Sequence, residues 1–587
     1  MNVERSVLGR SWRLRPCDEA AALAISQQHG IPDVLGRVLA GRGIGPRDVP
    51  TFLNPRLRDW LPDPSHLHDV DRAADRIATA VMAGERVGLI GDYDVDGATA
   101  TALAVRFFRS LGIEVEFEIP DRMRDGYGPS ARVLAELASR GCRLVVTLDT
   151  GTTAFEPLRD AAARSLEVIV IDHHAAEEAL PPALAVINPN RVDQASSLKH
   201  LAAVGVTFIV LVAVTRELRN RGAFAARSEP PLLHWLDLVA LGTVCDVVPL
   251  TGLNRAFVHQ GLRVARAAGV KGLAALAEVA GLAGVGDARQ FGFVLGPRIN
   301  AGGRIGRSDL GARLLSTDAD DEAAALAGQL HALNAERQAI ERSALEAAER
   351  AVESQLTSGL PLLLAAGAGW HPGIVGIVAS RLADRYHRPV VVLGIADGIA
   401  KGSARSINGF DLGAAVIAAR QQGLLLHGGG HHMAAGMTLA EADVDRFHRF
   451  LLDRIEAEIG GGVPPPAAIE LDGALSVEAA RPALAQQVQQ LAPYGAGNAE
   501  PCFALTDARV VQARVVGEGH VSCVLTGAVD GRVKAIAFRS AGTPLGRELL
   551  EGRLPLRLAG RIRLEAWQGR DQLCFEIDDA APIGAWS

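Results

Sequence analysis

The sequence predicts an α/β protein: a parallel-sheet domain joined by a long helix to a smaller α/β domain, with a small β-barrel at the carboxyl end. Three observations carry this. Short apolar runs alternate with helical patterns from about residue 70 to 250, and again from about 361 to 459. Between the two blocks, the stretch from about Asp320 to Gln355 has no Gly after Gly328 and no Pro. Beyond the segment Gly460-Gly461-Gly462-Val463-Pro464-Pro465-Pro466 the pattern turns to short alternating strands.

The elements follow in order. Residues 1 to about 55 mix Ala, Leu and Arg at helical spacing and close on Asn54-Pro55, which reads as a small helical lead-in. In the first block three apolar runs end in aspartate: Val87-Gly88-Leu89-Ile90-Gly91-Asp92, Leu144-Val145-Val146-Thr147-Leu148-Asp149 and Val168-Ile169-Val170-Ile171-Asp172. Such runs are buried parallel strands. Val115 to Ile119 is a further strand, and Asp71 to Ala83, Thr99 to Leu111 and Ser130 to Arg140 are helices. The stretch rich in Ala, Leu, Glu and Arg after Asp320 makes a helix of about 50 Å, long enough to bridge two domains. The predicted division is 1–55, 56–318, 319–356, 357–460 and 461–587. In the last part Leu554-Pro555-Leu556-Arg557-Leu558 and Ile562-Arg563-Leu564 are barrel strands.

Bulk properties narrow the function. A chain of 587 residues, 48% hydrophobic, is globular and exceeds what one core can hold. No secretion signal is read at the amino end. The longest apolar stretch, Leu201 to Val214, contains Gly205 and Thr207 and is too short to cross a bilayer, so it reads as a buried helix and no membrane partner is expected. Six cysteines stand at 17, 142, 245, 502, 523 and 574 without a Cys-x-x-Cys pair, which fits a reducing cytoplasm and neither a disulfide framework nor a zinc knuckle. The net charge of −7 argues against a general nucleic-acid coat protein but allows a local basic groove.

In open parallel sheets ligands bind at the carboxyl ends of the strands. Asp92, Asp149 and Asp172 are therefore delivered to one rim, with Asp94 and Asp96 behind the first and His173 and His174 behind the third. Alternate residues of an extended segment point the same way, so Asp92, Asp94 and Asp96 converge, and Gly97 permits a tight turn into the next helix. Asp246, in Gly242-Thr243-Val244-Cys245-Asp246-Val247, is another acid on an apolar background. A single Asp at a strand end commonly caps the following helix. Six acids and two histidines packed together instead demand cations, because neighbouring carboxylates resist ionising together. Oxygen ligands suit Mg2+ or Mn2+, and imidazole tilts the choice toward Mn2+. Two such ions about 3.5–4 Å apart acidify a bridging water and neutralise charge on a phosphoryl group. Asp172 is the member expected to orient a histidine instead of binding metal. An EF-hand is excluded because Leu103 occupies the twelfth loop position, and no Walker-type phosphate loop is present.

Asp172-His173-His174 resembles the signature of the DHH phosphoesterase superfamily. The resemblance extends through Asp121-Arg122, Asp125-Gly126-Tyr127-Gly128, Leu201-Ala202-Ala203-Val204-Gly205-Val206 and the segment from Leu236 to Thr243. It continues through the segments from Leu295 to Arg304, from Trp370 to Ile377 and from Gly428 to Gly436. It is similar throughout to the bacterial single-strand-specific 5′→3′ DNA exonucleases of that superfamily. That resemblance implies two divalent ions, Mn2+ or Mg2+, and a role in DNA recombination and repair. By position, Asp94, Asp96, Asp149, His173 and Asp246 resemble the metal ligands, and Asp92, Asp172 and His174 their catalytic partners. Thr150 stands where many members have Asn, and Ile90 where some have His, which makes Asp92 the natural substitute there.

For the substrate, Gly428-Gly429-Gly430-His431 lets backbone amides approach a phosphate, with His431 as a further donor. Lys401-Gly402-Ser403-Ala404-Arg405-Ser406 offers hydroxyls, a Lys and an Arg able to bind phosphate bidentately. By the resemblance, Ser403 and Arg405, with Arg298 or Arg304, hold a 5′-terminal phosphate. In the tail Arg553, Arg557, Arg561 and Arg563 alternate with apolar residues and Trp567 follows, the makings of a strand face that holds single-stranded DNA. By the same resemblance, selectivity for single strands is expected from a passage between the two α/β blocks, too narrow for a duplex. A single-strand-binding protein or a RecQ-type helicase is a plausible partner. The competing readings are a phosphodiesterase for short oligonucleotides or cyclic dinucleotides, and a non-catalytic replication scaffold, which the intact acids disfavour.

Overall fold

The structure is a computed structural model that describes residues 2–121, 124–225, 227–267, 269–460, 468–529, 531–552, 554–567 and 570–583, without the side chains of 565–567, 570 and 571. It comprises two compact units, residues 1–331 with 468–587, and residues 332–467.

The first unit contains a five-stranded sheet in the spatial order Val115–Glu118, Val87–Ile90, Leu144–Leu148, Glu167–Ile171, Ala185–Ile187. All its pairings are parallel. The strands Val87–Ile90 and Leu144–Leu148 are buried at every position, which is why they read as apolar runs, interrupted only by Thr147, whose hydroxyl donates to Thr150 O. The chain passes from Val87–Ile90 to one neighbour, Val115–Glu118, and then crosses to the other, Leu144–Leu148. That reversal opens a crevice beyond the carboxyl ends of these strands, where Asp92 and Asp149 follow. The helix Ala203–Asn220 takes up the longest apolar stretch and is almost wholly buried. Among the described residues no helix is long and apolar enough to cross a membrane.

The same unit holds the carboxyl-terminal barrel. The strands Phe503–Val516, His520–Thr526, Arg532–Ala537, Arg570–Pro582 and Leu556–Trp567 follow one another, and the last closes onto the first. The helix Pro544–Glu551 lies between the third and fourth strands in sequence. This is the closed five-stranded OB architecture, in which closure removes the sheet edges.

Residues 1–55 do more than lead in. Their strand Trp12–Leu14 pairs in parallel with Ile469–Leu471. Ile25, Leu35, Val38 and Val49 share one core with Phe503, Leu505 and Phe575 of the barrel. Buried Asp579 accepts hydrogen bonds from Ser6 Oγ at 2.6 Å and Trp12 Nε1 at 3.2 Å. No local sequence signal encodes contacts across so much chain.

The long helix runs Asp320–Thr357, 38 residues, and enters the second unit. That unit is built on a five-stranded sheet ordered His427–His431, Ala434–Ala440, Ile399–Arg405, Val390–Ala396, Leu363–Ala368. Only the last pair is parallel. Phe410, Leu412, Phe447 and Leu451 fill its core.

Candidate metal centre

The acids converge by a different local route from extended alternation. The helix begins at Val95, earlier than its apolar pattern suggests, and Asp94 is its N-cap, accepting from Gly97 N at 3.1 Å. Asp96 therefore sits in the first helical turn, 1% exposed. Its two oxygens accept from the opening amides of another helix, Ala203 N at 2.6 Å and Val204 N at 2.9 Å. Gly97 serves close packing: a Cβ there would lie 2.5 Å from Asp92 O. Asp149 follows its strand in the left-handed region, φ 63°. Asp246 ends the helix Leu236–Cys245.

These elements bring together three overlapping groups: Asp92, Asp94 and Asp149; Asp149, His173 and His174; and Asp96, His173 and Asp246, each with ligand atoms within 4.8 Å of one another. His173 Nε2 lies 3.3 Å from Asp149 Oδ1 and 3.9 Å from Asp96 Oδ2, and its Nδ1 lies 3.7 Å from Asp246 Oδ2. His173 Nδ1 is 2.9 Å from Leu201 O, and a carbonyl can only accept, so the proton belongs on Nδ1 and the Nε2 lone pair faces the acids. Asp172 accepts from Thr152 N, His173 N and His174 N and pairs with His174 Nδ1 at 2.7 Å. Its oxygens are thus committed to orienting the pair of histidines.

Electrostatics set these carboxyls apart. Burial, then repulsion from Asp246 and Asp94, pushes Asp96 well above the usual carboxylate range. Burial and the Asp96 charge do the same to Asp149. Burial and Asp94 raise Asp246 to about 7. Asp172 goes the other way: burial pushes it up, but the His174 hydrogen bond and charge outweigh that and hold it low. His174 is drawn down by burial and raised on balance by Asp172. His173 is lowered by burial and by the neighbouring His174 charge.

The donor set fits divalent cations. Asp149 Oδ1 and Asp246 Oδ2 are buried with no hydrogen-bond partner among the described residues, an expensive state for a carboxylate that a cation relieves. Mn2+ at a hundred times its dissociation constant adds about 2.7 kcal/mol to the stability of the form that binds it. Adding Mn2+ is accordingly expected to raise the melting temperature of the first unit by roughly 3 °C over that in EDTA. Equal melting curves in a calorimeter contradict the fit.

Sequence reasoning met Tyr127 only as part of a motif and gave the supports of this site no role. Tyr127 OH donates to Asp149 O at 3.1 Å and lies 3.2 Å from His174 Nδ1. Asn188 Nδ2 donates to His174 O at 2.8 Å and Asn190 Nδ2 to His173 O at 2.5 Å. Their signal was the polar Asn188-Pro189-Asn190 directly after an apolar run, the same pattern that revealed the acids. Ile90 faces the apolar core with Val133 and Leu137, not the acids.

The expected substrate residues divide between the units. Arg298 and Arg304 lie on the helix Gly296–Ile305 of the first. Arg298 donates to Val294 O at 2.6 Å, and a Cβ at Gly303 would stand 2.7 Å from Tyr93 O, so the Arg304 end of that helix abuts the Asp92–Asp96 segment. In the second unit Arg405 donates to Ser403 Oγ at 3.1 Å. Arg405 and His431 both register with Ala434, from the strands on either side of it. Burial lowers the Arg405 guanidinium pKa, and no carboxylate pairs with it among the described residues. The side chain of Trp567 lies outside the described residues, as does Arg553. The expected basic strand face is not free: Arg561 pairs with Asp578 at 2.9 Å, and Arg563 with Glu500 at 2.7 Å and Glu576 at 3.1 Å. The acids come largely from the adjacent strand Arg570–Pro582, whose register places Glu576 opposite Arg561.

Comparison with known proteins agrees with this geometry. The chain matches the DHH family, N-terminal domain, over residues 86–243, the DHHA1 domain over 359–457 and the RecJ OB domain over 471–579. It is 40% identical over 514 residues to the single-stranded-DNA-specific exonuclease RecJ of Dickeya dadantii, covering 84% of this chain and 87% of that one. It is 36% identical over 590 residues to the protein of that name from Escherichia coli, covering 97% and 99%. The crystal structure of RecJ from Thermus thermophilus with Mn2+ superposes with a TM-score of 0.80 at 32% identity, covering 98% of this chain and 80% of that one. The same protein with Mg2+ gives 0.75 at 30%, covering 98% and 79%.

Proposed function

The chain belongs to the RecJ family of single-stranded-DNA-specific exonucleases, and from that premise we propose that it removes 5′ mononucleotides successively from the 5′ end of single-stranded DNA. It is a metal-dependent phosphodiester hydrolase of the DHH type. The observation that carries the reading is the cluster of buried acids with orphaned oxygens beside two histidines.

In this reading Asp94, Asp96, Asp149, His173 and Asp246 hold two ions, Mn2+ or Mg2+, with Asp92 beside them. Bound there, the ions supply a nucleophilic water and neutralise charge on the phosphoryl group. The chain does the rest. Asp96, pinned by two amides, keeps its carboxylate in place without reorganisation. Asp172 keeps the Nδ1 proton of His174 engaged and favours its cationic form, so that Nε2–H donates to a phosphoryl oxygen. Residues 56–318 carry this chemistry, 357–460 the 5′ end and 461–587 the rest of the strand.

Polarity comes from the end of the strand. Ser403, Arg405 and His431 of the second unit take the 5′-terminal phosphate. Arg405, without an acid partner among the described residues, is the natural anchor, since a charge-assisted bond contributes about 1.5–3 kcal/mol. Arg405→Ala is expected to reduce a preference for 5′-phosphorylated over 5′-hydroxyl ends by roughly tenfold to a hundredfold. An unchanged preference in competition assays contradicts the assignment.

The net charge of −7 gives the protein little surplus to gather DNA by itself, which supports delivery by a single-strand-binding protein or a RecQ-type helicase. Six free cysteines suit a reducing cytoplasm, and recombination and repair are the processes served. The test is direct. End-labelled single-stranded and duplex DNA are incubated with the protein in Mn2+, Mg2+ or EDTA, and the shortening end is followed. Loss from the 5′ end of single strands only, abolished by EDTA, is expected. Shortening from the 3′ end, or equal attack on duplex, overturns the reading.

A further inference from the structure

We infer that a cavity of about 570 Å3 in the first unit, on the far side of the Asp246 segment from the metal cluster, seats one base of the substrate strand. The inference rests on the exonuclease reading and adds a subsite to it. The volume lies within the range of about 300–1,000 Å3 usual for ligand pockets. One wall is the stretch around Asp246, through Val244, Cys245, Val247 and Val248. Asp246 itself is not part of the lining and turns its carboxylate toward His173, so cavity and metal centre share a wall one backbone thick.

Two apolar side chains are held out at this cavity against the tendency of folding to bury them. Val247 is 70% exposed and adopts φ 59°, a conformation that strains a β-branched residue. Phe293 is 78% exposed and stands on the five-residue π-helical turn Phe291–Leu295, an irregularity that often accompanies function. Both line the cavity. Strain and apolar exposure at one place call for an occupant that repays them.

The opposite wall indicates what the occupant is. Arg561, Arg563 and Glu576 of the barrel line it with Glu500, and Arg266, Asp287 and Arg289 complete the charged lining; the two signs nearly balance, with Arg563 between Glu500 and Glu576, Arg289 3.9 Å from Glu576, and Arg561 paired with Asp578. Such a rim offers donors and acceptors with little net charge, which favours a neutral heterocycle over a phosphate. An aromatic face accepts any base, because every base has a π-face. The wall also leads onto the barrel. Glu576 registers with Ile536, and Ile536 with Ser522, so the surface continues onto the His520–Thr526 and Arg532–Ala537 strands, the face with which OB barrels hold single strands. A strand crossing that face reaches the cavity and then the metal centre, which places the seated base on the 3′ side of the bond being cut.

The experiment walks a single abasic residue along a 5′-phosphorylated strand and measures KM and kcat for the wild type, Phe293→Ala and Phe293→Trp with Mn2+. Stacking on an aromatic is worth about 1–3 kcal/mol per base, or roughly 5- to 150-fold. The wild type is expected to show a rise of that order in KM at one abasic position on the 3′ side of the cut. Phe293→Ala raises KM for the intact strand and flattens the positional profile, and Phe293→Trp restores it. Phe293 is too exposed for its loss to unfold the protein, which melting curves check. A flat wild-type profile, or one that Phe293→Ala leaves unaltered, overturns the base seat while the exonuclease reading stands. A wild type that leaves single strands intact overturns that reading, and the seat with it.

Discussion

Asp149→Asn is expected to lower turnover on single-stranded DNA by at least about a thousandfold, equivalent to some 4 kcal/mol of lost transition-state stabilisation. The residue joins two of the three ligand groups, and its Oδ1 is buried without a partner. The amide keeps the side-chain shape but surrenders the charge that attracts a cation. Asn is also chosen for the backbone. Asp149 sits at φ 63°, a conformation Asn tolerates and Ala adopts only at a cost. Removing one of several mutually repelling carboxylates relieves the metal-free protein, so its melting temperature should hold or rise while activity disappears. A variant that keeps a tenth or more of wild-type turnover with Mn2+ removes Asp149 from the chemistry. One that loses activity only because it unfolds leaves the circular dichroism of the native protein behind.

The second large effect is on stability. Arg255 is 3% exposed and has no acid partner among the described residues. Burial lowers its pKa to about 10, which still leaves it charged at neutral pH. Its guanidinium donates to Phe52 O at 2.9 Å, Leu491 O at 3.0 Å, Ala492 O at 2.9 Å and Pro493 O at 3.3 Å, and lies 3.9 Å from the centre of the Phe52 ring. One side chain thus ties the amino-terminal segment and the loop before the barrel to the helix Gly252–Ala267. Arg255→Met leaves these buried carbonyls without a donor, at a cost of about 3 kcal/mol or more. The melting temperature should fall by roughly 3 °C or more. Lys should not restore it, because an ammonium cannot span the same fork of acceptors. A variant that melts with the wild type shows that the packing around residue 255 does not depend on the cation.

The two effects show which parts of the protein a reader of the sequence can reach. The sheet was legible because a parallel strand buried on both faces must be largely apolar, and Val87–Ile90 and Leu144–Leu148 are, with Thr147 the one polar residue. The metal centre was legible because the strand-end acids are expensive unless shared with a cation. Its construction was not. Asp94 as a helix cap and Asp96 inside the first turn depend on where the helix starts, which the apolar periodicity does not fix. The partners of Asp96 are amides more than a hundred positions away, at Ala203 and Val204. The same distance problem hid the pairing of Arg561 and Arg563. A basic alternation looks free until the neighbouring strand, with Glu576 and Asp578, is laid beside it. The merger of residues 1–55 with the barrel core is the extreme case, since its hydrophobic partners carry no mark of one another in sequence.

Everything functional depends on the acids and imidazoles around Asp149 gathering divalent ions. Anomalous diffraction from crystals grown with Mn2+ measures this without reference to activity. The expected map has two manganese peaks, bonded between them to Asp94, Asp96, Asp149, His173 and Asp246, both absent from crystals of Asp149→Asn or soaked in EDTA. A map with no peak there, or with manganese only on exposed surface acids, contradicts the account.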